Sequence, residues 1–456
     1  MDVPDRFGPR GFTARLAGFV AGADRASVPG AALRQAERAF VDTVGVAMAA
    51  SDDDVVRTLL GALDAEASAG PSGSWVGSPS RQPAQMALVN ATAAHALDYD
   101  DGSQPTKTHP SAVLCPVAMA VGQQLGSSGA DVLDAYVVGY QVEYLVCEAL
   151  GGQSHYAAGW HATATIGFLG AVAAAARLYR LDAHSVAMAL GIAGSMAGGS
   201  RSNFGSMTKP LHAGLAAGRG IEAAQLARAG FTSGEDMLEA RFGFVDLFGG
   251  ADATESVEVD RPWLLGEHGL NVKRYPCCYC AHCPVDAIFD LDPIDPRTVS
   301  GVLVQTHPAG LGPLIHHRPR TGIEGKFSLE YAVAAALVDR RLDLQSFTDE
   351  AVVRREVQQL FDRVRGEEVP APTIGEPEWT QGFACVTITL TDGRVVSVRR
   401  DHPRGHTLAP LTDAELAQKF ASCVRAGGYA LDDLRFEQLD RLRQVADVSR
   451  LRFTTA

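Results

Sequence analysis

Between about residue 11 and residue 245 the sequence runs as one helical stretch after another, rich in alanine and glycine. That texture favours closely packed helices over a sheet-dominated fold. Ala31 to Ala49 carries apolar residues at helical spacing. Thr108 is placed to cap a helix with His109 first and Pro110 second, running through AVLCPVAMAVGQQL to Gly126. Asp131 opens the next segment, which ends before Gly151. Another helix spans about Ala162 to Tyr179, and Asp182 caps its successor. Leu211 to Ala229 stops at Gly230, a C-cap glycine, and Ser233 with Asp236 has capping-box spacing.

The texture changes after about residue 268. Val302, Val304 and Thr306 alternate as in a strand, and two β-rich runs over 384–400 flank Asp392-Gly393, a strong hairpin signal. Helical segments lie between them, around Leu329 to Val338 and Asp349 to Val364. The tail, over 413–426 and 431–445, is helical again. The pattern predicts a mainly α protein with an inserted α+β domain. A large helical domain covers 1–268 and is completed by 401–456, and a smaller α+β lid domain covers 269–400. The tail is assigned to the first domain because its helices are too short to fold alone.

Bulk properties narrow the function. At 456 residues the chain is too long for one ordinary core, and 46% hydrophobic with 20% charged residues is a globular composition. A net charge of −13, with no Lys/Arg stripe, argues against a nucleic-acid partner. An anionic substrate would therefore need local positive charge at its site. The opening MDVPDRFGPRGF lacks the basic and apolar regions of a secretory signal, and apolar stretches such as Ile166 to Ala176 are too short for a bilayer. Eight cysteines without scaffold-like spacing point to a reducing cytoplasm.

Four places concentrate polar residues. His95-Ala-Leu-Asp98-Tyr-Asp100-Asp101, followed by Thr108-His109-Pro110-Ser111, sets three carboxylates before a histidine at a helix start. That is a proton-handling cluster or, more blandly, a capped helix after an acidic loop. His161, in Gly159-Trp160-His161-Ala-Thr163, sits where a small-residue helix begins; a satisfied structural histidine is the competing reading. Arg201 and Lys209, in a glycine-containing stretch ending Lys209-Pro210-Leu-His212, form an anion receptor or a solvated loop. Finally, Cys277-Cys278-Tyr279-Cys280-Ala281-His282-Cys283 places four Cys and one His in seven residues. No second pair follows at zinc-site spacing, so the thiols are expected to pack as small apolar groups while the loop presents His282.

Taken together, these strings resemble the 2-methylcitrate dehydratase family, MmgE/PrpD, which includes cis-aconitate decarboxylase and iminodisuccinate epimerase. The marks are Ala94-His95-Ala-Leu-Asp98-Tyr-Asp-Asp101 with His109-Pro-Ser111, Gly159-Trp-His161-Ala-Thr163, Gly205-Ser-Met-Thr-Lys209-Pro-Leu-His212, Tyr275-Pro with His282, and Lys326-Phe-Ser-Leu-Glu-Tyr331. Five strings in the family's order cover nearly the whole chain. The resemblance implies a helical domain plus lid, a homodimer, no metal or organic cofactor, and a site in the cleft between domains. It nominates Asp98, His109, His161 and Lys209 from the helical domain and His282 and Tyr331 from the lid as the catalytic set. Asp101, Ser103 and Arg201 are the expected substrate-binding residues. Two departures matter. Gly102-Ser103 replaces the family's threonine, so the hydroxyl is expected from Ser103. Arg201 stands where the decarboxylase has an apolar residue, which points to a further carboxylate or polar group on the substrate.

The shared chemistry is a carbanion-like centre made or quenched beside a carboxylate. Lys209 and Arg201 would hold carboxylates, and His109 and His161 would move protons, with Asp98 fixing a histidine tautomer. His282 and Tyr331 would serve as acid or hydrogen-bond donor. A 2-methylcitrate dehydratase-like hydro-lyase leads this reading, with an epimerase or a cis-aconitate-type decarboxylase as alternatives. A non-catalytic scaffold and a metal-dependent hydratase rank behind them.

Overall fold

The computed structural model describes residues 11–64, 69–249, 253–261, 263–431 and 433–453. Most of the N-terminal stretch read above as lacking a signal, residues 1–10, lies outside the described residues. The chain divides into two compact units: residues 1–96, 100–271 and 413–456 form one, and 97–99 with 272–412 form the other.

The first unit is helical. Its longer helices, in chain order, are α1 (Phe12–Gly22), α2 (Gly30–Ala49), α3 (Asp54–Asp64), α4 (Pro83–Ala96), α5 (Pro110–Leu125), α6 (Gly129–Ala149), α7 (Ala162–Tyr179), α8 (Ala183–Gly194) and α9 (Thr208–Arg228). Their ends follow local chemistry. Ser128 and Asp131 close a reciprocal capping box at α6, and Asp182 caps α8 through Ser185 N–H. Gly126, left-handed at φ 63°, ends α5. Two expectations differ. Thr108 does not cap α5, because its hydroxyl donates to the buried Glu143 carboxyl (2.6 Å); His109 holds the N-cap position instead. Ser233 and Asp236 start no helix, since the Ser233 hydroxyl donates to Met188 O (3.1 Å) and the chain there makes turns.

α7 is long and apolar enough to cross a membrane by length and composition, yet 94% of it is buried among its neighbours. It serves as the central helix of this core. Side chains are omitted where helices touch. Gly139 of α6 and Gly170 of α7 face each other, so that a Cβ on Gly170 would meet Gly139 O at 3.0 Å. On α9, a Cβ at Gly214 would meet Leu88 O of α4 at 2.7 Å, and one at Gly218 would meet Ala84 O at 2.8 Å.

The second unit is α+β. Strands β1 (Val299–Thr306), β2 (Val364–Glu368), β3 (Ala384–Leu390) and β4 (Val395–Arg400) form one mixed sheet in the order β2-β1-β3-β4. β1 pairs parallel to β2 (Val302 with Val364) and antiparallel to β3 (Val304 with Val386). The β3–β4 hairpin turns at Asp392-Gly393, with Gly393 at φ 85°. Helices α10 (His282–Phe289) and α11 (Leu329–Asp339) share a core with the sheet through Val285, Ile288, Val302, Val304 and Ile388. The helix expected over 349–364 is instead two four-residue turns, Asp349–Val352 and Arg355–Gln358, followed by β2. Arg354, extended between them and paired with Asp339, interrupts the helix. β2 reads as polar because it lies at the sheet edge and Gly366 lets Leu329 approach; a Cβ there would meet Leu329 Cδ2 at 2.8 Å.

The remaining helices, α12 (Asp413–Ala426) and α13 (Asp433–Asp440), return to the first unit, where both pack on α2. The units meet in sequence at 271/272 and 412/413 rather than at 268/269 and 400/401. Residues 401–412 stay with the α+β unit because Val272 N–H donates to Gly405 O (2.9 Å) and Arg404 N–H to Asp286 (2.6 Å).

Candidate active site

Three helix N-termini of the helical unit converge. His109 precedes Pro110 of α5, and a residue before proline is held out of the helical region, here at φ −106°, ψ 77°. Its N–H donates to Thr163 Oγ1 (3.1 Å), which ties the start of α5 to the start of α7. His161 occupies the same position before α7, and its N–H donates to Gly199 O (2.9 Å). A bridge between Trp160 and Ser200 holds that strand-like contact. The chain then turns into α9, whose second residue is Lys209 and whose fifth is His212. His161 and His212 face each other Nδ1 to Nδ1 at 3.0 Å. Each helix start adds partial positive charge, which locally offsets the chain's net negative charge.

Hydrogen bonds fix much of the protonation. A carbonyl only accepts, so His109 Nδ1, 2.7 Å from Asp101 O, carries a proton. The same Nδ1 lies 3.2 Å from Asp100 Oδ2. His109 Nε2 is therefore the basic nitrogen of the neutral ring, on a side chain still 21% exposed. His95, fully buried at the end of α4, shares Asp100 Oδ2 through its own Nδ1 at 2.7 Å. Burial, helped by the Lys209 and His109 charges and opposed by Asp100, pushes His95 down to about 4. Burial alone would raise Asp100, but the two histidines outweigh it and hold the carboxylate well below its usual range. Burial also lowers His161 well below an ordinary histidine, as do the neighbouring His95 and Lys209. His95 and His161 stack at 5.7 Å, and each keeps a buried Nε2 without a hydrogen-bond partner. Phe204 meets His161 edge-on, and the Lys209 ammonium lies 5.4 Å from the Phe204 ring centre.

The expected substrate-binding residues turn inward. Asp101 is fully buried and accepts from the Ser111 hydroxyl and N–H; Ser111 also meets Tyr136 OH at 2.6 Å. Ser103 is buried against Tyr140 OH (3.1 Å). Arg201 stacks on Tyr156 (3.9 Å) and donates to its carbonyl (2.8 Å), which makes it a local clamp on the loop before α9. Asp98 belongs to the other unit. In a left-handed conformation (φ 53°), it pairs with buried Lys273 at 2.9 Å. The carboxylate that orients histidines is thus Asp100, not Asp98. His95, Asp100 and His212 complete the cluster beyond the nominated set. His212 is legible in retrospect, since i, i+3 spacing puts it on the Lys209 face of a helix.

Within the α+β unit, His282 is buried at the start of α10 with Nε2 3.3 Å from Cys277 O, between the rings of Tyr275 and Tyr279. Tyr331 is fully buried in that unit's core, and its hydroxyl donates to Ser346 O rather than standing at a surface. Cys277 and Cys278 are buried there as the packing reading expects, with Cys280 and Cys283 partly so. Among the described residues, the group whose ligand atoms converge closely enough for a metal ion is His95, Asp100 and His109, within 4.8 Å. Holding an ion there would require displacing the Nδ1 protons now shared with Asp100.

Two buried carboxyls give a pH dependence. Asp101 and Glu143 are each pushed up to about 8, chiefly by burial, with the Ser111 and Thr108 hydroxyls opposing. In the unfolded chain both titrate near about 4. The stability they favour is complete below about pH 4 and is lost as pH rises to about 8, because the unfolded state releases its protons first. The melting temperature is expected to fall across that window, with Glu143→Gln flattening the fall. An unaltered slope in that variant would refute the protonated Glu143.

Comparison with known proteins identifies the family. The model of the MmgE/PrpD N-terminal domain matches residues 14–256, and that of the MmgE/PrpD C-terminal domain matches 275–442. Cis-aconitate decarboxylase of Mus musculus is 28% identical over 429 residues, covering 90% of this chain and 86% of that protein. The Homo sapiens enzyme of the same name is 30% identical over 355 residues, covering 74% and 72%. A cis-aconitate decarboxylase of Aspergillus terreus is 26% identical, covering 79% and 78%.

Proposed function

Because the chain belongs to the MmgE/PrpD family, we propose that it is a lyase that removes CO₂ from a small unsaturated tricarboxylic acid of the cis-aconitate type. The similarity to cis-aconitate decarboxylases along most of both chains favours this over the dehydratase that led the sequence reading. One observation carries the chemistry: His109 offers a basic Nε2 whose opposite nitrogen is locked to a carbonyl and a carboxylate. Its neighbours His95 and His161 feel the Lys209 charge, and the starts of α5, α7 and α9 add partial positive charge that favours anions.

In such a reaction the bond between the departing carboxylate and its neighbouring carbon breaks. CO₂ leaves, and the electron pair enters the conjugated system of a remaining carboxylate. Lys209 and the helix N-termini stabilise that charge in a site largely shielded from water. The imidazolium of His109, steadied by Asp100, delivers a proton from Nε2 to carbon, which quenches the carbanion and leaves His109 neutral.

Proton NMR in D₂O with cis-aconitate tests the reading. Loss of CO₂ with one deuterium placed on product carbon is expected. Water lost from 2-methylcitrate with cis-aconitate untouched would return the hydro-lyase to first place, and deuterium entry with inverted configuration would select the epimerase.

A further inference from the structure

His161 and His212 meet through like atoms. With Nδ1 to Nδ1 at 3.0 Å, a single proton must lie between them, on one ring or the other. If His212 carried it, His161 would hold its own proton on Nε2, a buried N–H with no acceptor. Buried orphan N–H groups are rarer than under-satisfied acceptors. The Lys209 charge also acts on His161 and disfavours a second proton on the ring. His212 has no such difficulty, since its Nε2 is not among the buried unpartnered atoms and can carry the outer proton.

We infer that His212 is a positioning residue that holds the His161 proton on Nδ1, so that His161 presents a bare Nε2 as a neutral hydrogen-bond acceptor. The two loop histidines thereby differ in kind. His109 has Asp100 within reach and can carry charge, whereas His161 is backed by a neutral ring and does not. His161 then recognises a donor, such as a substrate carboxyl in its protonated form or a hydroxyl, and repels a bare carboxylate oxygen. Gly199 keeps the pair in register. Its carbonyl accepts from His161 N–H (2.9 Å), and a Cβ on it would sit 3.5 Å from His212 Nδ1 and only 2.6 Å from Ala164 Cβ.

The deciding experiment is long-range ¹⁵N–¹H NMR on histidine-labelled full-length protein, which reads the tautomer of His161 without any turnover. His161 is expected to be protonated at Nδ1 in the wild type. His212→Leu should scatter it between tautomers, while His212→Asn, whose amide oxygen accepts where Nδ1 did, should restore it. The kinetic arm rests on the proposed lyase reading. There kcat should fall roughly tenfold to a hundredfold in His212→Leu, as for other outer partners of a working histidine, and recover in His212→Asn. A proton found on Nε2 of His161, or a tautomer indifferent to His212→Leu, would overturn the inference. A protein that turns over no acid but shows the expected tautomers would overturn only the lyase reading.

Discussion

Asp100→Asn is expected to cost roughly 10³- to 10⁴-fold in kcat/KM, the scale seen where a carboxylate that orients a working histidine becomes an amide. One carboxylate oxygen, Oδ2, accepts from both His95 and His109. An amide has one acceptor and one donor group, so it cannot accept from both rings in every orientation. If its NH₂ faces either Nδ1–H group, that ring must move its proton to Nε2, and His109 loses the carboxylate that steadies the imidazolium from which carbon is protonated. The fold should survive, because a neutral amide costs less to bury than a carboxylate. Steady-state kinetics with a melting curve tests this. A fall under tenfold with unchanged melting would remove Asp100 from the mechanism.

The second large effect concerns stability. Lys419 on α12 and Asp42 on α2 form an ion pair at 2.7 Å, each only 1% exposed. Burial pushes Asp42 up, and the Lys419 charge opposes it. Lys419→Met leaves that carboxyl buried without its cation, and about 3–5 kcal/mol of unfolding free energy should be lost. Asp42→Leu together with Lys419→Met should recover most of it, since a buried pair is often replaceable by apolar groups even though half of one is not. Urea unfolding of both variants decides the matter. A single variant as stable as the wild type would show that the tail is held by packing alone.

Where the sequence was legible, local chemistry and tertiary structure agreed. Gly126 and the Asp392-Gly393 hairpin are short-range devices, and each stands where its residues indicate, whereas the capping-box spacing of Ser233 and Asp236 starts no helix. β2 was illegible because a polar edge strand with a central glycine carries no alternation, and Arg354 broke the preceding helix through a contact fifteen residues away in sequence. At the site, the acidic string 98–101 announced itself, but not which carboxylate faces the histidines. That depends on the left-handed turn at Asp98, which sends one side chain to Lys273 while Asp100 turns to His95. Tyr331 fits a family motif and is nevertheless a core residue of its own unit, a distinction set by Ser346 and Phe347 rather than by anything in the motif.

The seam between α4 and α9 has a consequence for how such a protein can change. His95 ends one of these helices, and Lys209 with His212 begins the other. What sets the spacing between those groups is a pair of glycines, Gly214 and Gly218, lying against Leu88 and Ala84 with no room for a methyl group. The gauge of the reactive cluster is thus written in residues that have no side chain to protonate, charge or bond. A saturation scan read out as activity should find intolerant positions that carry no ionisable atom of their own. Lineages that acquire new substrates should do so by redrawing the loops before α5, α7 and α9, while this glycine ruler stays as it is.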